Sequence, residues 1–173
     1  MQQSARISLR GYAIAAATLL AVIAFSSESW AREPKRVRCN QMTNQLANQL
    51  FADWNSALQQ NPDAVTLKYA TNAVLLPTVE NGPLVGRAEI RTYFVHFLEK
   101  HPVGRIDTRN IIPADCNIGI VAGLYTFTLD GKNGGREDVP ARYTYTYAYN
   151  LVLGRWEISH HHSSAQPVPP TPK

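Results

Sequence analysis

The chain has 173 residues, of which 45% are hydrophobic and 17% charged, and carries a formal net charge of +4. Its 17 basic residues are scattered apart from the short cluster Lys35-Arg36-Val37-Arg38, so the one-sided stripe that a nucleic-acid partner requires is missing. Size and apolar content suit one compact domain with one core.

At the N-terminus, Arg6 and Arg10 precede an apolar stretch from Ala13 to Phe25, and Ser29-Trp30-Ala31 offers a small-x-small cleavage site. The stretch has the length of a signal h-region and is shorter than the roughly 20 residues that a membrane span needs. Residues 1–31 therefore read as a secretory signal that is removed. The product is then periplasmic or secreted, with no membrane partner after removal; an uncleaved N-terminal anchor is the alternative. Residues 32–42 follow as a short arm.

Cys39 and Cys116 are the two cysteines of the sequence. An even count in an exported chain, in an oxidising compartment, argues that they pair. The bridge would close a loop of 77 residues, worth roughly 4 to 5 kcal/mol in the chain-entropy model, less any strain.

From Thr43 to Gln60, Leu46, Leu50, Phe51, Trp54 and Leu58 recur at helical spacing and predict an amphipathic helix. Asn61-Pro62-Asp63 ends it and restarts a short helix through Tyr69, because proline is tolerated in a first turn. Asn72 to Pro77 reads as a strand, Asn81-Gly82-Pro83 as a turn and Leu84-Val85 as the return. Ile90, Phe94, Phe97 and Leu98, with Tyr93 beside them, then mark a second amphipathic helix from Gly86 to Lys100, stopped by His101-Pro102.

Beyond that point the period changes from helical to two. Residues 105–112, 118–129, 141–151 and 155–162 read as strands separated by turn-forming clusters, the last near Gly154. Helices followed by a long meander argue an α+β domain over residues 43–167, with helices packed on one face of a curved antiparallel sheet. The Pro-rich tail, residues 168–173, cannot join a ladder.

The last strand carries Trp156, Ile158, His160, His162 and Ser164, followed by Ala165 and Pro167. This pattern resembles the closing strand of the association (hub) domain of calcium/calmodulin-dependent protein kinase II and its bacterial relatives. The element order is that of the nuclear-transport-factor-2-like (NTF2-like, SnoaL-like or cystatin-like) cone to which that domain belongs. Phe51-Ala-Asp-Trp-Asn-Ser-Ala-Leu58 resembles the opening helix of small exported members, and Gly82 to Phe94 their second hairpin and third helix. The resemblance implies a cone-shaped sheet with a cavity at its open end and self-association into a dimer or larger homo-oligomer. It does not imply kinase or calmodulin-binding activity.

Strict alternation would put Trp156, Ile158, His160 and His162 on one face. His160, His161 and His162 invite a metal, yet no third ligand can be placed and neither HExxH nor paired CxxC occurs, so neither metal nor cofactor is expected. For acid–base chemistry, His160 and Asp53 are the first residues to test. Ser163 and Ser164 lack the strand–turn–helix setting of a nucleophile.

A ligand pocket would be lined by Trp54, Tyr69, Tyr93, Phe97, Tyr125, Arg142, His160 and His162. Arg142, if inward, suits a carboxylate ligand; if Tyr143, Tyr145, Tyr147 and Tyr149 face inward instead, it meets solvent, and alternation leaves the choice open. The leading expectation is an exported domain that oligomerises and binds a small polar or aromatic molecule. An isomerase- or cyclase-type enzyme and a purely structural oligomeriser are the alternatives.

Overall fold

The structure, a computed structural model, describes residues 39–167. The proposed signal over residues 1–31, most of the arm and the tail lie outside the described residues.

Helix α1, Asn44–Leu58, starts where the Thr43 side chain accepts a hydrogen bond from the Leu46 N–H, satisfying one of the donors a helix start leaves unpaired. It buries Ala47, Trp54, Ala57 and Leu58. Helix α2, Pro62–Thr66, is capped by Asn61, whose side chain accepts from the Ala64 N–H. Strand β1, Tyr69–Leu76, and the short strand β2, Leu84–Val85, form a hairpin. Helix α3, Gly86–Leu98, follows at once. Gly86 makes this junction with φ +80°, a conformation in which a side chain would strain the backbone.

Strands β3 (Val103–Asp115), β4 (Ile118–Asp130), β5 (Arg136–Asn150) and β6 (Arg155–Ala165) complete one six-stranded sheet in the order β2-β1-β6-β5-β4-β3. The sheet is mixed rather than wholly antiparallel, because β1 docks parallel to β6. Pro113 lies inside β3 instead of ending it. At a sheet edge a missing N–H on the outer side costs no ladder bond.

Two of the sheet's register shifts bear on the site. Opposite Tyr125 and Leu124 the register of β3 slips between Ile106 and Thr108, and a Cβ on the neighbouring Gly123 would stand 2.1 Å from the Thr108 carbonyl oxygen. Backbone approaches backbone there, and a bulge of this kind bends the strand. The second slip lies between β5 and β6: Tyr147 pairs with Ile158 while Thr146 pairs with His160. Ser159 is the extra residue, and its hydroxyl donates to the Thr146 carbonyl at 3.0 Å.

The tyrosine face of β5 is the inner one. Tyr143, Tyr145 and Tyr147 are buried with Trp54, Phe94, Tyr125 and Ile158 in a core that α1 and α3 cover. Cys39 and Cys116 are disulfide-bonded, with Cα atoms 4.9 Å apart. Beside the bridge, Asn117 donates its N–H to the Asn40 carbonyl at 3.0 Å, and its side-chain oxygen accepts from the Asn40 N–H at 3.1 Å.

Candidate functional site

A hollow opens between α3 and the inner sheet face, with a cavity volume of about 70 Å³. Its walls are Trp54 of α1, Tyr93, Phe94 and Phe97 of α3, Tyr125, Phe127 and Leu129 of β4, and Val139 and Ala141 of β5. Leu75 of β1, then Pro77, Thr78 and Val79 in the loop after it, and Lys100, just past α3, also line it. The period of two aims Tyr125, Phe127 and Leu129 inward together, and the helical repeat sets Tyr93 and Phe97 on one face. Their rings stack at 5.5 Å between centroids, and Phe97 meets Phe127 edge-on.

Beside Thr78 and Lys100, β6 supplies polar groups to the wall. His161 and Ser163 line the cavity, and both are buried. Trp54 Nε1–H donates to the Tyr69 hydroxyl at 3.2 Å. That hydroxyl lies 2.9 Å from His161 Nδ1. An indole nitrogen can only donate, so the phenol proton finds its acceptor in Nδ1, which places the imidazole proton on Nε2. Nε2 has no hydrogen-bond partner among the described residues. Burial first, and then neighbouring His160 and His162, hold the pKa of His161 down at about 3. The ring is therefore neutral at physiological pH, with one free N–H donor in a cavity wall.

A second chain runs beside it. The Tyr125 hydroxyl donates to Ser163 Oγ at 2.5 Å, and Ser163 Oγ lies 2.6 Å from Thr78 Oγ1. Burial raises the pKa of Tyr125 and Tyr93, so both phenols stay protonated.

Trp54, Tyr93, Phe97 and Tyr125, named from the sequence, all line this cavity. Tyr69 is fully buried and reaches it through His161. Three others stand elsewhere. Arg142 is exposed on the outer face, where its Nε donates to Ser164 Oγ at 3.2 Å; with the tyrosines inward, the carboxylate-binding idea fails for it. His160 and His162 also lie on the outer face, paired across the ladder with Thr146 and Thr144. The extra residue at Ser159 reverses the alternation after Ile158, so the inward positions pass to His161 and Ser163.

Asp53 is not brought to His160. It is exposed on α1, accepting from Gln49 Nε2 at 2.7 Å, and borders a separate hollow with Lys68, Arg155 and Trp156. His161, Ser163 and Thr78 are the polar residues that sequence reasoning missed. Three consecutive histidines in a strand do guarantee that at least one faces inward, and this was the available signal.

Residues 43–167 match the family model of the calcium/calmodulin dependent protein kinase II association domain. The chain belongs to that family. A solved structure assigned to the same association domain, from Xanthomonas campestris, is 46% identical, with a TM-score of 0.67 over 70% of this chain and 86% of that one. More distant structures show the fold alone. An NTF2-like protein of unknown function from Pseudomonas putida KT2440 is 17% identical, with a TM-score of 0.58 over 69% of this chain and 84% of its own. A ketosteroid isomerase-like protein from Erwinia carotovora atroseptica is 16% identical, with a TM-score of 0.59 over 73% of this chain and all of its own. No curated protein matches the chain. Association-domain membership accounts for the fold.

Proposed function

We propose that this association-type domain is exported, assembles with itself, and holds a small molecule with an apolar or aromatic body and one hydrogen-bond acceptor. The observation that carries the ligand reading is the unpartnered Nε2–H of His161 in the wall of a largely apolar cavity. A buried donor without an acceptor costs about 1–3 kcal/mol, and a carbonyl, ether or hydroxyl oxygen on a ligand would recover it. The cavity of about 70 Å³ is small beside the roughly 300–1,000 Å³ of drug-sized sites. That favours a compact or flat ligand, entered past Val79 and Lys100.

Recognition is better supported than proton transfer. His161 has one nitrogen occupied by Tyr69 and a pKa near 3, whereas a general base is best poised near the working pH. Self-assembly is supported by family membership and by the outer sheet face. Leu76, Val85, Ile112 and Ile118 are exposed there, beside Thr144, Thr146, His160 and His162. Export rests on the N-terminal sequence pattern.

Native mass spectrometry of the purified protein tests the ligand reading. A recurring small-molecule adduct, lost in His161→Phe, is the expected result. Protein that is free of adducts in every preparation, and that shows no thermal shift with small aromatic ketones and phenols, would sink it. Light scattering tests assembly, since a clean monomer at micromolar concentration rules it out.

A further inference from the structure

The hollow that Asp53 borders is separate from the inner cavity and larger, with a volume of about 190 Å³. It lies between α1 and the start of β6. Leu50 and Asp53 reach it from α1, because residues three apart share a helix face. Trp156 and Ile158 come from β6, and Tyr147 from β5, where it pairs with Ile158 across the ladder. The bulge at Ser159 divides β6 between the two hollows: Trp156 and Ile158, before it, line this one, while His161 and Ser163, after it, line the other.

Three polar groups of this wall lack a matching partner among the described residues. Tyr147 is only 2% exposed, and its hydroxyl makes no hydrogen bond to a described residue; what can be reached of it is reached from this hollow. Burial raises its pKa, so the phenol keeps its proton and can donate. Lys68 is half-buried and fixed by its main chain, its N–H donating to the Val65 carbonyl at 3.1 Å and its carbonyl accepting from the Ile158 N–H at 2.9 Å. Its ammonium forms no ion pair with a described residue. Asp53 accepts from the neutral Gln49 amide, so its negative charge is likewise unmatched there. Arg155, also in the lining, is already matched, because its guanidinium lies 2.7 Å from the Glu157 carboxylate.

We propose that this hollow is a second binding site, for a small zwitterion of the amino-acid kind with an apolar side chain. The wall offers one unmatched charge of each sign, and Asp53 and Lys68 are not bonded to each other. A ligand ammonium answers Asp53, while a ligand carboxylate answers Lys68 and the Tyr147 hydroxyl, both donors. The ligand side chain lies against Leu50, Trp156 and Ile158. A plain acid would leave Lys68 satisfied but face Asp53 with a like charge, and a plain amine would do the reverse at Lys68. The volume, below the roughly 300–1,000 Å³ of drug-sized sites, suits a molecule of amino-acid size. This site shares no lining residue with the inner cavity, so it stands or falls separately from the ligand reading given there.

Nuclear magnetic resonance titration of the purified protein tests the proposal, with L-phenylalanine and L-leucine set against phenethylamine and 3-phenylpropanoate. The two amino acids should bind, phenylalanine at least about tenfold more tightly than either single-charge analogue, the difference expected from one hydrogen bond to a charged group. Lys68→Met and Asp53→Asn, both outside the core, should each weaken binding at least about tenfold, and Tyr147→Phe severalfold, with circular dichroism spectra unchanged. Absence of binding by both amino acids overturns the proposal. So do Lys68→Met and Asp53→Asn proteins that bind like the wild type. An analogue that binds as tightly as phenylalanine shows a site for a simple acid or amine, and overturns it equally.

Discussion

The Tyr69 hydroxyl lies 2.9 Å from His161 Nδ1 although 92 residues separate them. The contact exists because β1 runs parallel to β6 and the bulge at Ser159 turns His161 inward. Trp54 supports it from α1. Three elements are thus tied to one hydrogen-bonded chain that ends at the cavity.

Acid should weaken the fold through His161. Its folded pKa of about 3 lies below its ordinary value of 6.5. Between those values the unfolded chain binds a proton that the folded chain refuses, so the stability is present above about pH 6.5 and is lost as pH falls toward 3. Urea unfolding should show a loss on the order of 2 kcal/mol between about pH 7 and pH 5, before the carboxylates titrate. His161→Phe should flatten that slope, whatever its effect at neutral pH. His160, whose pKa burial also lowers, adds a component of the same sign that survives in the variant. An unchanged slope would show that His161 is not buried neutral.

Tyr69→Phe removes the link between Trp54 and His161 and leaves two buried nitrogens unpaired. A cost of about 2 kcal/mol is expected at neutral pH. Combined with His161→Phe the losses should fall short of additive, because both changes break the same contact. Full additivity in a double-mutant cycle would show that the pair is not coupled.

Reducing the Cys39–Cys116 bridge, or replacing both cysteines with serine, releases a 77-residue loop. The denaturation midpoint should fall by the equivalent of about 2–5 kcal/mol. Chemical denaturation with and without reductant measures it.

Gly123→Ala should be among the most damaging small substitutions. Its Cβ would stand 2.1 Å from a main-chain oxygen of β3, and backbone cannot swing away as a side chain can. A loss of about 2 kcal/mol or more, with lower soluble yield, is the expected outcome. Gly82→Ala, where no atom lies within 4 Å, serves as the control.

Arg142→Ala and His160→Ala should leave any small-molecule adduct in place and shift stability by no more than about 0.5 kcal/mol. Both side chains lie on the outer face, so an effect on oligomeric mass is compatible with their position. Loss of the adduct would return the site to the outer histidines.

Helix positions were legible because Trp54, Leu58, Ile90 and Phe94 repeat with the helical period whatever they pack against. The strands were legible from alternation, and the closing-strand pattern from Trp156 to Pro167 was enough to suggest the family. The pocket lining was named from the cone that the family resemblance implies, and of those residues Trp54, Tyr93, Phe97 and Tyr125 stand in the cavity wall. What the chain could not declare is facing. Alternation defines two faces of β5 without naming the inner one, so Arg142 stayed ambiguous until the helices covered Tyr143, Tyr145 and Tyr147. One extra residue at Ser159 exchanges His160 and His162 for His161. Its position depends on how β5 and β1 pair with β6, and those pairings are made between residues far apart in sequence, so only the tertiary structure decides which imidazole meets the cavity.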